Sequence, residues 1–534
     1  MRNHPTTHRP APPTAGPQTG SVSRQATSVA EATAAGHGKL VLREAGTLGI
    51  PAGAGLILVG AGGFHAGFLI PSVWWLIGVW LGALFSLRRL GTARRAFYAG
   101  MTVGLLIYGP ELHFFWRLFG PAAAVLWLIL AFWSGLFLLG LQQVQQRWGG
   151  TAALWLAPVG WMAVEYFRSE LYPLRFAWFL TGGCLPLPGF GAWLHFAGVY
   201  GSGAMMMFLS AFGVRIVETR GRCLGRLAEG TAAMTLIAAL ALACWWSGKA
   251  DATGNTGNAP TTPGVAVAGV QFEFAGLPEI ITGLEAVVAR HPEAQLILLS
   301  EYAVEGQPPA RLRRWCRDHE RWLVVGGRDP LPSGAFHNTA FVIDPEGEVV
   351  FKQAKNVPIQ FFDDGLPAPG SKVWHSPWGP IGIAVCYDAS YTRVMDRYVR
   401  QGARGLLLPA MDVAEWGAHE HRLNSRQTLL RSAEYGIPVF RVASSGISQL
   451  TAARHGRLLA TAPFPGPGAI LAGRLEWKTE APPSLPWDRV AAPLSVAAAF
   501  TVGGLLAVPA FRRRGDRRIP GNDARTGRHA VESP

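Results

Sequence analysis

The chain has 534 residues, of which 15% are charged and 49% hydrophobic, whereas a soluble domain carries roughly 25% charged residues. That composition disfavours an ordinary water-soluble enzyme, and 20 Trp with 27 Phe suit a protein placed where apolar and polar media meet. The net charge of +14 comes mostly from arginines whose spacing follows membrane topology, so no nucleic-acid partner is expected.

In chain order, residues 1–47 are rich in Pro, Thr, Ala, Ser and Gly without apolar periodicity and read as a disordered cytoplasmic tail. Residues 48–247 carry successive apolar runs, and a helix needs about 20 mostly apolar residues to cross a bilayer. Seven candidate spans are centred near Leu58, Gly78, Leu105, Ile129, Trp161, Met205 and Ala239. Arg88, Arg89, Arg94 and Arg95 follow the second, Arg147 the fourth, and Arg215, Arg220, Arg222 and Arg226 the sixth. Arginines in short loops stay cytoplasmic, so the seventh span delivers the chain to the extracytoplasmic side.

A Gly/Thr/Asn/Pro linker over 248–264 opens a region of different texture. Over 265–485, short β-type runs such as Val265-Ala-Val-Ala-Gly-Val270, Leu296-Ile-Leu-Leu299 and Ile381-Gly-Ile-Ala-Val385 alternate with helix-like stretches, which signals an α/β domain. An eighth apolar run over 486–511 leads into a basic cytoplasmic tail, 512–534. A tether needs one span, so seven before the domain imply work done within the bilayer.

The five cysteines form no CxxC pair, which argues against a disulfide framework, a zinc site or any metal. Cys386 stands between the strand ending at Val385 and a helix expected over 389–402, a turn that exposes a nucleophile and places it at a helix N-terminus that lowers its pKa. Glu301 ends the apolar run Leu296-Ile-Leu-Leu-Ser300, where α/β sheets place reacting groups. Lys352 and Lys355 lie between a strand and a Pro-marked loop, and either is placed to favour a thiolate or stabilise an oxyanion.

Glu301, a lysine and Cys386 in that order and setting resemble the Glu-Lys-Cys constellation of the carbon-nitrogen hydrolase (nitrilase) superfamily. Supporting stretches are His337-Asn-Thr-Ala-Phe-Val-Ile-Asp344, Ile381-Gly-Ile-Ala-Val-Cys-Tyr-Asp388 and Asn424-Ser-Arg-Gln-Thr-Leu-Leu-Arg431. Within the superfamily, Trp161-Met-Ala-Val-Glu-Tyr-Phe-Arg168, Arg175-Phe-Ala-Trp178 and Met411-Asp-Val-Ala-Glu-Trp416 resemble the apolipoprotein N-acyltransferase family. The chain departs from that family in three places. The usual lysine position falls on Gln353, flanked by Lys352 and the preferred Lys355. The glutamate after Val357-Pro358 is replaced by Gln360-Phe361, with Asp363 and Asp364 as substitutes. Asp388 stands where the family has Glu.

The resemblance implies an αββα sandwich on the extracytoplasmic side of a bacterial inner membrane, mounted on about eight helices. It implies Glu301 as base, Lys355 as oxyanion partner and Cys386 as nucleophile, with Tyr387, Asp388 and Trp416 contacting substrate and no cofactor. The reaction implied moves an acyl chain from a phospholipid to the N-terminal amine of a diacylglyceryl-cysteine lipoprotein. The rivals are a membrane-tethered amidase and a catalytically silent lipid- or lipoprotein-binding protein. A topology reporter fused after Gly257 should give an extracytoplasmic signal and one after Arg518 a cytoplasmic signal; a cytoplasmic signal at Gly257 would remove one leading span.

Overall fold

The computed structural model describes residues 46–219, 263–477 except 454, 455, 464, 465 and 467, and 484–515. The leading tail through residue 45, the span centred near Ala239, the linker up to residue 262 and the tail after Gly515 lie outside the described residues.

The first part of the chain is helical. Helix α1 spans Ile50–Leu69, and a 3-10 turn over Pro71–Leu76 leads into α2, Ile77–Leu87. Helix α3, Ala93–Glu111, starts where the Thr92 hydroxyl accepts the Arg95 N–H at 3.2 Å and so satisfies one of the orphan donors of a helix N-terminus. The short α4, Phe114–Phe119, precedes α5, Ala123–Tyr166, and α6 spans Gly191–Glu218.

At 44 residues, α5 is too long for one crossing, and it folds back at Gly149, whose φ of +84° only glycine adopts easily. Phe137 meets Trp161 at 5.0 Å and Trp133 meets Phe167 at 5.5 Å, pairs nearly equidistant from residue 149. The apolar runs around Ile129 and Trp161 are therefore antiparallel halves of one hairpin. Helix α6 breaks in the same way at Gly198, with φ +73°.

The α/β part contains two six-stranded sheets. The first has the order β12-β1-β2-β3-β4-β5, where β1 is Gly264–Val270, β2 Leu296–Leu298, β3 Trp322–Pro330, β4 Phe336–Ile343, β5 Val349–Ala354 and β12 Ile470–Glu476. The second has the order β11-β10-β9-β8-β7-β6, from β6 Val373–Ser376 and β7 Gly379–Ile383 through β8 Gly405–Ala410, β9 Val439–Ala443 and β10 Gln449–Thr451 to β11 Leu458–Thr461. Strands β1-β2-β3 and β7-β8-β9 are parallel.

The two-residue period of a strand sorts these side chains into layers. Val265, Val267, Leu296, Leu298, Val324 and Val342 point at Ile381, Ile383, Leu407, Phe440 and Val442 across the sandwich. The intervening Ala268, Ile297, Leu323 and Phe341 pack outward against α7, Leu277–Arg290, and α8, Ala310–His319. On the other outer face, Ala384, Leu406, Leu408 and Val439 cover α9, Thr392–Arg400, and the end of α10, Ala418–Tyr435. Burial on both faces is why the parallel strands are continuously apolar in sequence.

The final helix α11, Asp488–Gly515, returns to the helical part. Four described stretches, Ile50–Leu69, Phe114–Leu171, Gly191–Glu218 and Asp488–Ala507, are long and apolar enough to cross a membrane, and Pro71–Leu87 is a shorter apolar stretch. Helix α3 is long enough but carries Arg94, Arg95 and Glu111.

Close approach of α3 to α5 rests on Gly100 and Gly104: a β-carbon at Gly104 would stand 2.6 Å from Ala131 Cα. Gly104→Val should cost about 1–3 kcal/mol and lower the unfolding temperature in detergent. Gly109→Ala, where a β-carbon meets nothing within 4 Å, should not lower that temperature.

Candidate active site

Three strand ends of the sandwich converge. Glu301 follows β2, Lys355 follows β5, and Cys386 follows β7. The Lys355 ammonium is 1% exposed and donates to Glu301 Oε1 and Asp364 Oδ2, each at 2.8 Å. Asn338 on β4 donates to the same two carboxylates, at 2.6 Å to Glu301 and 2.7 Å to Asp364. Tyr302 donates its hydroxyl to Asp364 Oδ1 at 2.9 Å, and the Ile359 N–H caps Oδ2 at 2.7 Å. Glu301 Oε2 accepts the Met411 N–H at 2.9 Å.

The strand period separates the two candidate lysines. Gln353 and Lys355 are buried, whereas Lys352 turns to solvent and pairs with Asp329 at 3.0 Å. Among the acidic candidates, Asp364 joins the cluster and Asp363 does not: its carboxylate is 79% exposed and lies 3.6 Å from Arg328.

Cys386 is 2% exposed and held at φ +49°, a left-handed conformation that a non-glycine residue adopts at a cost of about 1–2 kcal/mol. Its Sγ lies 3.8 Å from the Met411 carbonyl and 3.9 Å from Asn424 Nδ2 on α10. Asn424 also donates to Asp412 at 2.6 Å, and Asp412 is paired with buried Arg441 on β9.

Cys386–Ser390 forms a 3-10 turn, and α9 begins only at Thr392, so the helix expected from residue 389 starts later. Its first N–H is taken by Glu170 at 2.8 Å. The helix N-terminus therefore does not depress the thiol; burial, and then the Glu301 charge, push the Cys386 thiol well above its usual range.

Burial raises Glu301 above the usual carboxylate range despite Lys355, and a buried base with raised affinity is suited to receiving a thiol proton. Asp364 goes the other way: burial raises it, but the Lys355 ammonium together with the N–H donors of Ile359 and Asn338 outweighs that and holds it below the usual range. Its two carboxylate partners keep Lys355 protonated. Cys316, the buried cysteine of α8, has its thiol pushed up to about 12 by burial.

Asp388 is fully buried and accepts four N–H groups, from Val385, Val357 and the backbone and side chain of Asn356. It clips the loop after Lys355 to the turn of Cys386. Tyr387 is half-buried against Tyr391 at 5.1 Å and Trp178 at 6.2 Å. Trp416 stands on the loop before α10, against Phe362 at 6.1 Å.

Sequence reasoning did not single out Asn338, Asn424, Asp412 or Arg441. Asn338, Asp412 and Asn424 lie inside stretches that carried the resemblance, but only their contacts separate them from their neighbours. It also left unspecified how the helical part meets the site. The segment between α5 and α6 lies on the turn that carries Cys386: Trp178 donates to Ser390 at 3.0 Å, and Glu170 accepts from Thr392.

A family model described as Carbon-nitrogen hydrolase matches residues 232–478, and one described as Apolipoprotein N-acyltransferase N-terminal domain matches residues 60–212. Omega-amidase NIT2 of Xenopus tropicalis is 27% identical over 142 residues, which are 24% of this chain and 51% of that protein. A formamidase of Bacillus thuringiensis is 25% identical over 185 residues, 29% of this chain and 53% of that protein. The chain thus spans about half the length of the curated relatives it matches. The crystal structure of a carbon-nitrogen hydrolase from Helicobacter pylori aligns at 18% identity with a TM-score of 0.36, covering 40% of this chain and 90% of that one.

Asp364 contributes a negative charge that raises Glu301. Thiol alkylation or acylation at Cys386 should therefore fall with decreasing pH through a value above the ordinary glutamate range. In Asp364→Asn the neighbouring charge is gone, Glu301 holds its proton less tightly, and this acid limb should move to lower pH. A limb that moves to higher pH would contradict the cluster's charge arrangement.

Proposed function

We propose that this chain, which belongs to the apolipoprotein N-acyltransferase family of the carbon-nitrogen hydrolase superfamily, transfers an acyl chain from a phospholipid to the N-terminal amine of a diacylglyceryl-cysteine lipoprotein. The observation that carries the reading is the contact of the segment joining apolar helices α5 and α6 with the nucleophile turn, through Trp178 and Glu170. Tyr387, beside the nucleophile, packs against the same apolar core that runs through the helices. A substrate at Cys386 therefore meets surface suited to acyl chains, whose burial is worth about 0.8 kcal/mol per CH₂.

In the first half-reaction Glu301 takes the thiol proton and Cys386 sulfur attacks the ester carbonyl. Lys355 neutralises the tetrahedral oxyanion. Collapse breaks the acyl–oxygen bond, the leaving glycerol oxygen takes the proton from Glu301, and a lysophospholipid departs from a thioester enzyme. In the second, the lipoprotein amine attacks the thioester, Glu301 accepts the amine proton, and the proton returns to the departing thiolate as the amide forms. Asp364 keeps Lys355 charged in both steps, and Trp416 with Tyr387 borders the substrate. The sandwich faces the extracytoplasmic side of an inner membrane crossed by about eight helices, so both lipids arrive laterally and water is kept from the thioester.

The amidase names of the half-length relatives support a second reading, hydrolysis of a small amide. Incubating the purified chain with phospholipid and a diacylglyceryl peptide should give amide product, with loss of both thioester and product in Cys386→Ala. Lys355→Ala should reduce thioester formation by about 10²-fold or more and Lys352→Ala only slightly. Ammonia release from small amides without lipid transfer would favour the amidase, and product formation by Cys386→Ala would defeat both.

A further inference from the structure

Beside the nucleophile turn lies a cationic pair with no part in the proton transfers above. Arg175 stands in the segment between α5 and α6, and Arg393 in the first turn of α9. Both flank Tyr391, whose hydroxyl donates to the Arg175 carbonyl at 3.1 Å and whose ring centroid is 4.7 Å from the Arg393 guanidinium. Tyr391 meets Tyr387 edge-on at 5.1 Å, and Tyr387 adjoins Cys386.

Glu170 is the carboxylate of this corner, and it is already committed. It accepts the Thr392 N–H and hydroxyl at 2.8 Å each, the Tyr200 hydroxyl at 3.2 Å and Arg393 at 3.2 Å. Among the described residues the Arg175 guanidinium makes no hydrogen bond and no ion pair, Glu170 acting on it only at longer range, and its Nε is buried. Burial and the adjacent Arg393 charge hold that guanidinium below its usual range. Two guanidinium groups against one carboxylate leave a net positive corner at the edge of an apolar bundle. Such a corner is stabilised by a planar or tetrahedral oxyanion brought in from outside.

We infer that Arg175 and Arg393 receive the phosphodiester of the acyl donor, so that its glycerol backbone runs past half-buried Tyr387 and sets an ester carbonyl at Cys386. The assignment rests on the acyl-transfer reading and names the side chains that hold the phosphate of its phospholipid donor.

The test follows thioester formation on Cys386 by intact-protein mass spectrometry in detergent micelles, with phosphatidylglycerol and with diacylglycerol of the same chains. The wild-type chain should favour the phosphatidyl donor, and the ratio of kcat/KM for the two donors should fall about tenfold in Arg175→Gln. Arg175→Lys, which keeps the charge and guards against misfolding, should fall less. An unchanged ratio, or equal losses on both donors, overturns the arginine assignment while leaving acyl transfer intact. If inorganic phosphate at millimolar concentration erases the wild-type preference without raising KM for the phosphatidyl donor, the corner is a free-anion site and the assignment to the donor fails. Wild-type chain that forms no thioester with either donor overturns the acyl-transfer reading itself.

Discussion

A lysine ammonium with 1% of its surface exposed is stable only if anionic oxygens replace its hydration shell. Lys355 obtains them from Glu301 and Asp364, and this requirement organises the site. It draws together the ends of β2 and β5 and the loop that follows Pro358. It leaves one carboxylate, Glu301, with a raised proton affinity and the other, Asp364, with a lowered one. Burial, and after it the nearby Glu301 charge, keeps the thiol of Cys386 protonated at rest. In the reaction proposed above, that thiol is activated when Glu301 takes its proton.

The same logic of buried charge ties the helices to the sandwich. At the break in α6, Glu434 of α10 accepts the Val199 N–H at 3.0 Å and Asp488 of α11 accepts the Tyr200 N–H at 2.9 Å. These are the orphan donors of a restarted helix, met by carboxylates from two other elements. Arg489 pairs with Asp396 of α9 and with Glu434, and Arg431 also pairs with Glu434. Such a network specifies how the parts meet more than it adds stability, because each ion loses its hydration on burial. Its consequence is that the turn bearing Cys386 is held against Trp178 and Glu170 from the helical part.

Much of this was legible in the sequence. Apolar runs, alternating arginines and the switch to short β-type runs separate a helical part from an α/β part, because burial imposes its periodicity on the sequence in both. The settings of Glu301 and Cys386 follow from apolar strands ending at reactive side chains, a local pattern. The parity of a strand also bears on Lys352 and Lys355, but it acts only once the register of β5 against β4 sets which face is inward.

Tertiary structure alone decided the rest. Asp364 and Asp363 are neighbours of equal chemistry, and only the path of the loop sends one to Lys355 and the other to solvent. The partners Asn338, Asn424, Asp412 and Arg441 come from four separated segments, and local sequence carries no record of which distant group a polar side chain meets. The thiol's environment reversed expectation for the same reason: the start of α9 was already taken by Glu170, a residue 222 positions earlier in the chain. Periodicity and local turns are properties of short segments and so can be read from sequence, whereas charge balance and proton affinity sum over everything within a few ångströms and belong to the folded chain.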